Sequence, residues 1–373
     1  MSGLHTPRSA RYVRSSRLVG YLAVAYLVLV AYASLYPFTG WRVPNDEAAR
    51  FLFAGWPSYV VASDVLVNIL AYIPFGLLLT LLLMGRVPRW AAAVLGVIAG
   101  LLLSLSIEFA QAYLPTRVSS NVDVLTNSIG ALLGAGAACV WGERWILSGE
   151  LHRLREYHFR RGARTDFAFA LLALWLLTQL NAEIWLFGNG DLRHLVHLNF
   201  GVRYSADVYL FFEAGVAALN FAGVAFLIGA IARSFAACAV AVATLIAAAL
   251  MLKTIASTAL FIPGNPGLWL TPGSLSGLIA GVLFWLGLAR ISAANAMRLS
   301  AICFAGGFIL VNLAPENPYL DAALQILQRG QFLHFNSMTG LLSSWWPLLV
   351  FAYLVFLIRG DDEERSHARR PSH

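Results

Sequence analysis

Long apolar runs separated by short polar turns dominate the chain, at 18–38, 60–84, 90–114, 122–146, 167–187, 206–231, 236–262, 270–288, 299–315 and 341–358. Most reach the roughly 20 residues that a helix needs to cross the hydrocarbon of a bilayer. The pattern predicts about ten transmembrane helices in an all-α integral membrane protein. Composition agrees: 59% of residues are hydrophobic and 12% charged, against roughly 25% charged in a soluble domain. The N-terminal "MSGLHTPRSARYVRSSR" precedes an apolar run longer than a signal-peptide core and without a small-residue cleavage site, so residues 18–38 are expected to stay as the first span.

The net charge of +7 raises the question of an anionic partner, and the placement of the basic residues answers it. Arg42, Arg50, Arg117, Arg193, Arg203 and Arg329 fall on one side of the expected membrane, Lys253 lies within a span, and the remaining basic residues gather on the other side. By the positive-inside rule both termini are cytoplasmic. This distribution is a topology signal and gives no reason to invoke nucleic acid. The expected organisation is a basic N-terminus (1–17), a four-helix unit (18–147) and a basic cytoplasmic linker (148–165) lying against headgroups. A second four-helix unit (166–290), two further helices with an amphipathic segment (291–358) and a cytoplasmic tail (359–373) follow. Cys139, Cys238 and Cys303 show no CxxC spacing and imply neither disulfide nor metal.

The two units read as parallel repeats. "AYLPTRVSSNVDVLTNSIGALLG" superposes on "ALFIPGNPGLWLTPGSLSGLIAG", with Pro115 on Pro263, Gly130 on Gly277 and Gly134 on Gly281, and "ASDV" at 62–65 matches "SADV" at 205–208. The second copy keeps the scaffold glycines and loses the acids.

Those acids stand out. Asp64, Glu108 and Asp123 lie near one end of three successive spans, and helical spacing gives each an amide on its own face: Asn68 at i+4, Gln111 at i+3 and Asn127 at i+4. Carboxylates in hydrocarbon are costly, about 2.5 to 3.5 kcal/mol on insertion scales, and ordinarily face a bundle interior or a watery cavity. Asp123 also stands where a helix cap belongs. In the second unit Lys253 and Glu213 lie at similar depth, and a buried lysine at that depth calls for an ion pair with Glu213.

The succession D-x-x-x-N with "YIPFG" (Asp64 to Gly76), E-x-x-Q (Glu108, Gln111) and D-x-x-x-N-x-x-G-x-x-x-G (Asp123 to Gly134) resembles the VanZ-like family over the N-terminal third, in a long form. The resemblance implies a protein of the bacterial inner membrane and cell envelope, with a link to glycopeptide (teicoplanin) susceptibility. The residues themselves suggest an outward-facing acidic and amide site that binds or modifies a lipid or prenyl-phosphate-linked headgroup. In that reading Glu108 acts as general base, and Asp64 and Asp123 hold the headgroup or a divalent cation such as Mg²⁺. Asn68, Gln111 and Asn127 orient them. A transporter or flippase, and a non-enzymatic scaffold for envelope enzymes, are the alternatives. An enzyme should require Glu108, a transporter should be sensitive to Lys253, and a scaffold should tolerate Glu108→Gln.

Overall fold

The computed structural model describes residues 9–44, 48–55, 62–147, 149–181, 183–193, 203–258, 267, 269–315 and 332–368. These residues form an all-helical chain without a named strand. Among the described residues, eight helices are long and apolar enough to cross a membrane by length and composition. The chain divides into two compact units, Met1–Tyr157 and His158–His373.

In the first unit, α1 (Ser9–Leu35), α2 (Ala62–Leu83), α3 (Arg89–Gln111) and α4 (Asn121–Ala137) run up and down, and α4 continues as π-helix over Ala138–Leu147. A short helix, α5 (Glu150–His158), closes the unit. It lies within the basic segment 148–165 expected as a linker. The helix α2 runs through Pro74 without interruption.

Small residues fix how these helices meet. A Cβ placed on Gly130 would overlap the Ile69 carbonyl, one on Gly134 the Ile73 carbonyl, and one on Gly76 the Ala131 backbone. In hydrocarbon, where no hydrophobic force drives helices together, such backbone approach supplies the van der Waals contact that does. The buried stripe of α3 repeats every fourth residue, Ala92, Gly96, Gly100, Ser104 and Glu108, which makes it a narrow ridge against α2 and α4.

The second unit contains α6 (Ala163–Thr178), α7 (Ala206–Ile231), α8 (Phe235–Ala256), α9 (Pro272–Leu288), α10 (Ala293–Leu313) and α11 (Phe332–Ala368). The helix α7 is its buried axis: Val216, Ala217, Val224, Ala225 and Leu227 are fully enclosed, and Phe226 and Phe304 pack in the same core as Trp175 and Trp346. The spans expected at 167–187 and 270–288 are helices of 16 and 17 residues. The amphipathic segment expected at 319–335 and Pro263 of the repeat lie mostly or wholly outside the described residues.

The glycine contacts also test the repeat. A Cβ on Gly277 would overlap the Ala214 carbonyl, and one on Gly281 would lie 2.8 Å from the Ala218 carbonyl, as Gly130 and Gly134 meet Ile69 and Ile73. The helix pairs α2/α4 and α7/α9 therefore cross on the same glycine ridge. This register sets Glu213 over Asn68 and Tyr209 over Asp64, two residues away from the "ASDV" and "SADV" match. Two residues are about 200° of helix rotation, so that match does not describe equivalent positions. Backbone contact, which sequence similarity of four letters does not report, decides the register.

Candidate functional site

The polar residues of the first unit assemble in layers, each one helical turn apart and each drawn from α2, α3 and α4. The outer layer is Asn68, Glu108 and Asp123. Four residues along each helix is the second, Tyr72, Ser104 and Asn127. The third is Gly76, Gly100 and Ala131, and beyond it Thr80 meets Gly96. Fixed i, i+4 spacing on three helices makes this register possible.

At the outer layer Glu108, 2% exposed, receives the Ser120 N–H on Oε2 at 2.8 Å, and its backbone carbonyl accepts the Ser119 hydroxyl at 2.6 Å. Ser120 is the N-cap of α4, its Oγ accepting from Val122 N at 3.2 Å. The carboxylate thus lies at the positive end of a helix, where a negative charge is favoured. Asn68 engages the Asp123 carboxylate, and Asp123 is within electrostatic reach of Asp64 on one side and Glu108 on the other. Asp64, Asn68 and Asp123 are half-buried, so exposure falls from the end of the bundle inward.

The amides reach across to other helices. Asn68 reaches across to Asp123, Asn127 donates through Nδ2 to Ser104 Oγ at 2.9 Å, and Gln111 donates to the Ser34 carbonyl at 2.8 Å. Between helices an amide satisfies two otherwise stranded groups and joins two elements, whereas a pair on one helix face joins none. Gln111 is accordingly a helix-end ligand. With Arg117, whose guanidinium donates to the Ala33 and Tyr36 carbonyls at 2.7 and 3.1 Å, it satisfies the C-terminal carbonyls of α1, where positive charge is also favoured. Burial lowers the affinity of Arg117 for its proton and Glu108 opposes that; a guanidinium stays charged regardless.

In the second layer Tyr72 and Asn127 are 3% and 5% exposed and Ser104 is fully enclosed. The Tyr72 hydroxyl faces Ser104 but has no partner at hydrogen-bonding geometry, and Asn127 Oδ1 has none either. The third layer is shut: a Cβ on Gly76 would overlap the Ala131 backbone, and one on Gly100 the Ala131 side chain. Tyr72 and Ser104 are missing from the sequence reading because each resembles core. The signal that finds them is the same i, i+4 step that links Asp64 to Asn68, continued one turn.

Among the described residues no group of three or more His, Cys, Asp or Glu is placed to hold a metal ion; a divalent cation on the two carboxylates Asp64 and Asp123 is an expectation which that observation does not test. One expectation needs correction: Glu213 and Lys253 do not form an ion pair. Lys253, 1% exposed, donates to the Asn181 and Ile184 carbonyls at 2.6 and 2.5 Å, and the acid acting on its charge is Glu183. Glu213 instead accepts the Thr271 hydroxyl at 2.6 Å at the N-terminus of α9. Carbonyls exposed after the last turn of α6 are partners that a sequence pattern does not display. A double-mutant cycle of Glu213→Gln and Lys253→Met, read as unfolding in detergent, is expected to be additive within about 0.5 kcal/mol, with Lys253→Met the costlier because it strands two carbonyls. A coupling of about 2 kcal/mol would restore the ion pair.

Residues 15–142 match the family model described as VanZ/LLP1. No curated protein and no solved structure matches the chain at a significant level.

Proposed function

We propose that the VanZ-like domain in the N-terminal third of this multi-pass helical protein is a recognition site for the polar head of a membrane lipid or lipid-linked envelope precursor. The head would enter from the outer face of the bacterial inner membrane, with both chain termini cytoplasmic. One observation carries the reading: a column of polar side chains on three apolar helices, half-buried at one end, enclosed further in and ending against the Gly76, Gly100 and Ala131 layer. Polar groups cost free energy in a bilayer interior unless satisfied, and the α7/α9 pair makes the same glycine crossing without the acid set of α3 and α4. The acids are therefore surplus to folding this arrangement.

Asp64, Asn68 and Asp123 form the mouth and Glu108 the deepest carboxylate, the group we assign to proton transfer if the bound head is also modified. Gln111 acts only through the end of α1. The closed third layer supports binding over passage of a solute through this unit, which sets the transporter reading behind the headgroup reading. A bearing on glycopeptide susceptibility follows only if the head bound belongs to a wall precursor.

The test is photo-cross-linking in native membranes with benzoylphenylalanine at position 68, and at position 66 as the lipid-facing control, Leu66 being 56% exposed. Position 68 is expected to capture a restricted lipid class and position 66 the bulk phospholipids. Identical lipid profiles at the two positions would refute the site.

A further inference from the structure

The second polar layer specifies what kind of head the site takes. Asn127 spends its Nδ2 on Ser104 and leaves Oδ1 without a donor, while the Tyr72 hydroxyl leaves its proton without an acceptor. Both residues are more than nine-tenths buried, and a buried polar atom left unpaired costs about 1–3 kcal/mol. Two such atoms beside one serine, beneath Glu108 and Asp123, are a donor and an acceptor that do not reach each other, so a single group placed between them would satisfy both. That group must donate to an amide oxygen and accept from a phenol at once.

A hydroxyl does both. An ammonium has no lone pair to offer the Tyr72 proton. A phosphate would bring its charge against the Glu108 and Asp123 carboxylates, which lie within electrostatic reach of Tyr72, while the Arg117 guanidinium that acts on Glu108 is already engaged with the Ala33 and Tyr36 carbonyls. The layer below is filled, so whatever enters stops here. Resting on the headgroup reading above, we infer that Tyr72, Ser104 and Asn127 form the floor of the site and receive one ligand hydroxyl. The head recognised is then a glycosyl or glycerol group, with any phosphate held outside the acids.

The experiment is native mass spectrometry of the purified full-length protein titrated with dioleoyl phosphatidylglycerol and monoglucosyl-diacylglycerol, both hydroxyl-bearing, and with dioleoyl phosphatidic acid, which has the phosphate and no head hydroxyl. The hydroxyl lipids are expected to be retained about tenfold better, the scale of one hydrogen bond. Tyr72→Phe should bring that ratio to about one while leaving thermal unfolding unchanged or improved. Thr80→Val removes another buried unpaired hydroxyl, below the closed layer, and should leave the ratio intact. Equal retention of all three lipids by the unaltered protein would mean that the floor holds a water only, and a ratio that survives Tyr72→Phe would equally overturn the inference. If Glu108→Gln, Asp123→Asn abolishes retention while Tyr72→Phe keeps the ratio, the headgroup reading stands and the hydroxyl floor falls. If neither variant changes retention of any lipid, both fall.

Discussion

Gly134→Ala should destabilise the first unit by about 1–3 kcal/mol, and Gly136→Ala, two residues further along, should stabilise it by up to about 1 kcal/mol. The contrast follows from what each new methyl meets. At Gly134 it would overlap the Ile73 carbonyl and lie 2.7 Å from the Leu77 nitrogen, both backbone atoms of α2, whereas at Gly136 nothing lies within 4 Å. Backbone has no alternative rotamer to adopt, so α2 and α4 must separate. At Gly136, with open space around it, only the higher helix propensity of alanine acts. Because α2 carries Asn68 and Tyr72 and α4 carries Asp123 and Asn127, the separation at Gly134 should also weaken lipid retention. Unfolding of the purified variants in detergent measures both signs; a stabilised Gly134→Ala would mean that the two helices do not meet on this ridge.

Much of this architecture is legible in the residues. Apolar run lengths locate the helices, and Asp64, Glu108 and Asp123 announce themselves by their cost in hydrocarbon. Gly130 and Gly134, found as a GxxxG pair, are the close contact to α2. What is not legible involves backbone. The ammonium of Lys253 and the amide of Gln111 end on carbonyls, and every residue carries one, so no pattern of side chains marks which are left over. The register of α7 on α9 likewise depends on which carbonyl a glycine touches. Ser104 and Tyr72 belong to a middle class. Each is visible as one more step of an i, i+4 series, yet a serine and a tyrosine in apolar spans are also ordinary packing residues, and only the position of α3 against α2 and α4 separates the two roles.

The larger effect is expected from Glu108→Gln combined with Asp123→Asn. Both substitutions keep size and hydrogen-bonding capacity, and a neutral amide is cheaper than a carboxylate to hold among apolar helices, so the fold should survive. Glutamine at 108 can still accept the Ser120 N–H. What disappears is the charge that gives the outer layer its preference for donor groups, and charge-assisted hydrogen bonds are roughly twice as strong as neutral ones. With two such bonds weakened by about 1–1.5 kcal/mol each, retention of the bound head should fall by about 30- to 160-fold.

The most direct test of the account is therefore the set of lipids that co-purify with the native protein and with this double variant, read by native mass spectrometry from matched membranes. A headgroup class enriched on the native protein and lost from a variant that unfolds at the same temperature is the predicted result. The same lipids, in the same proportions, on both proteins would contradict it.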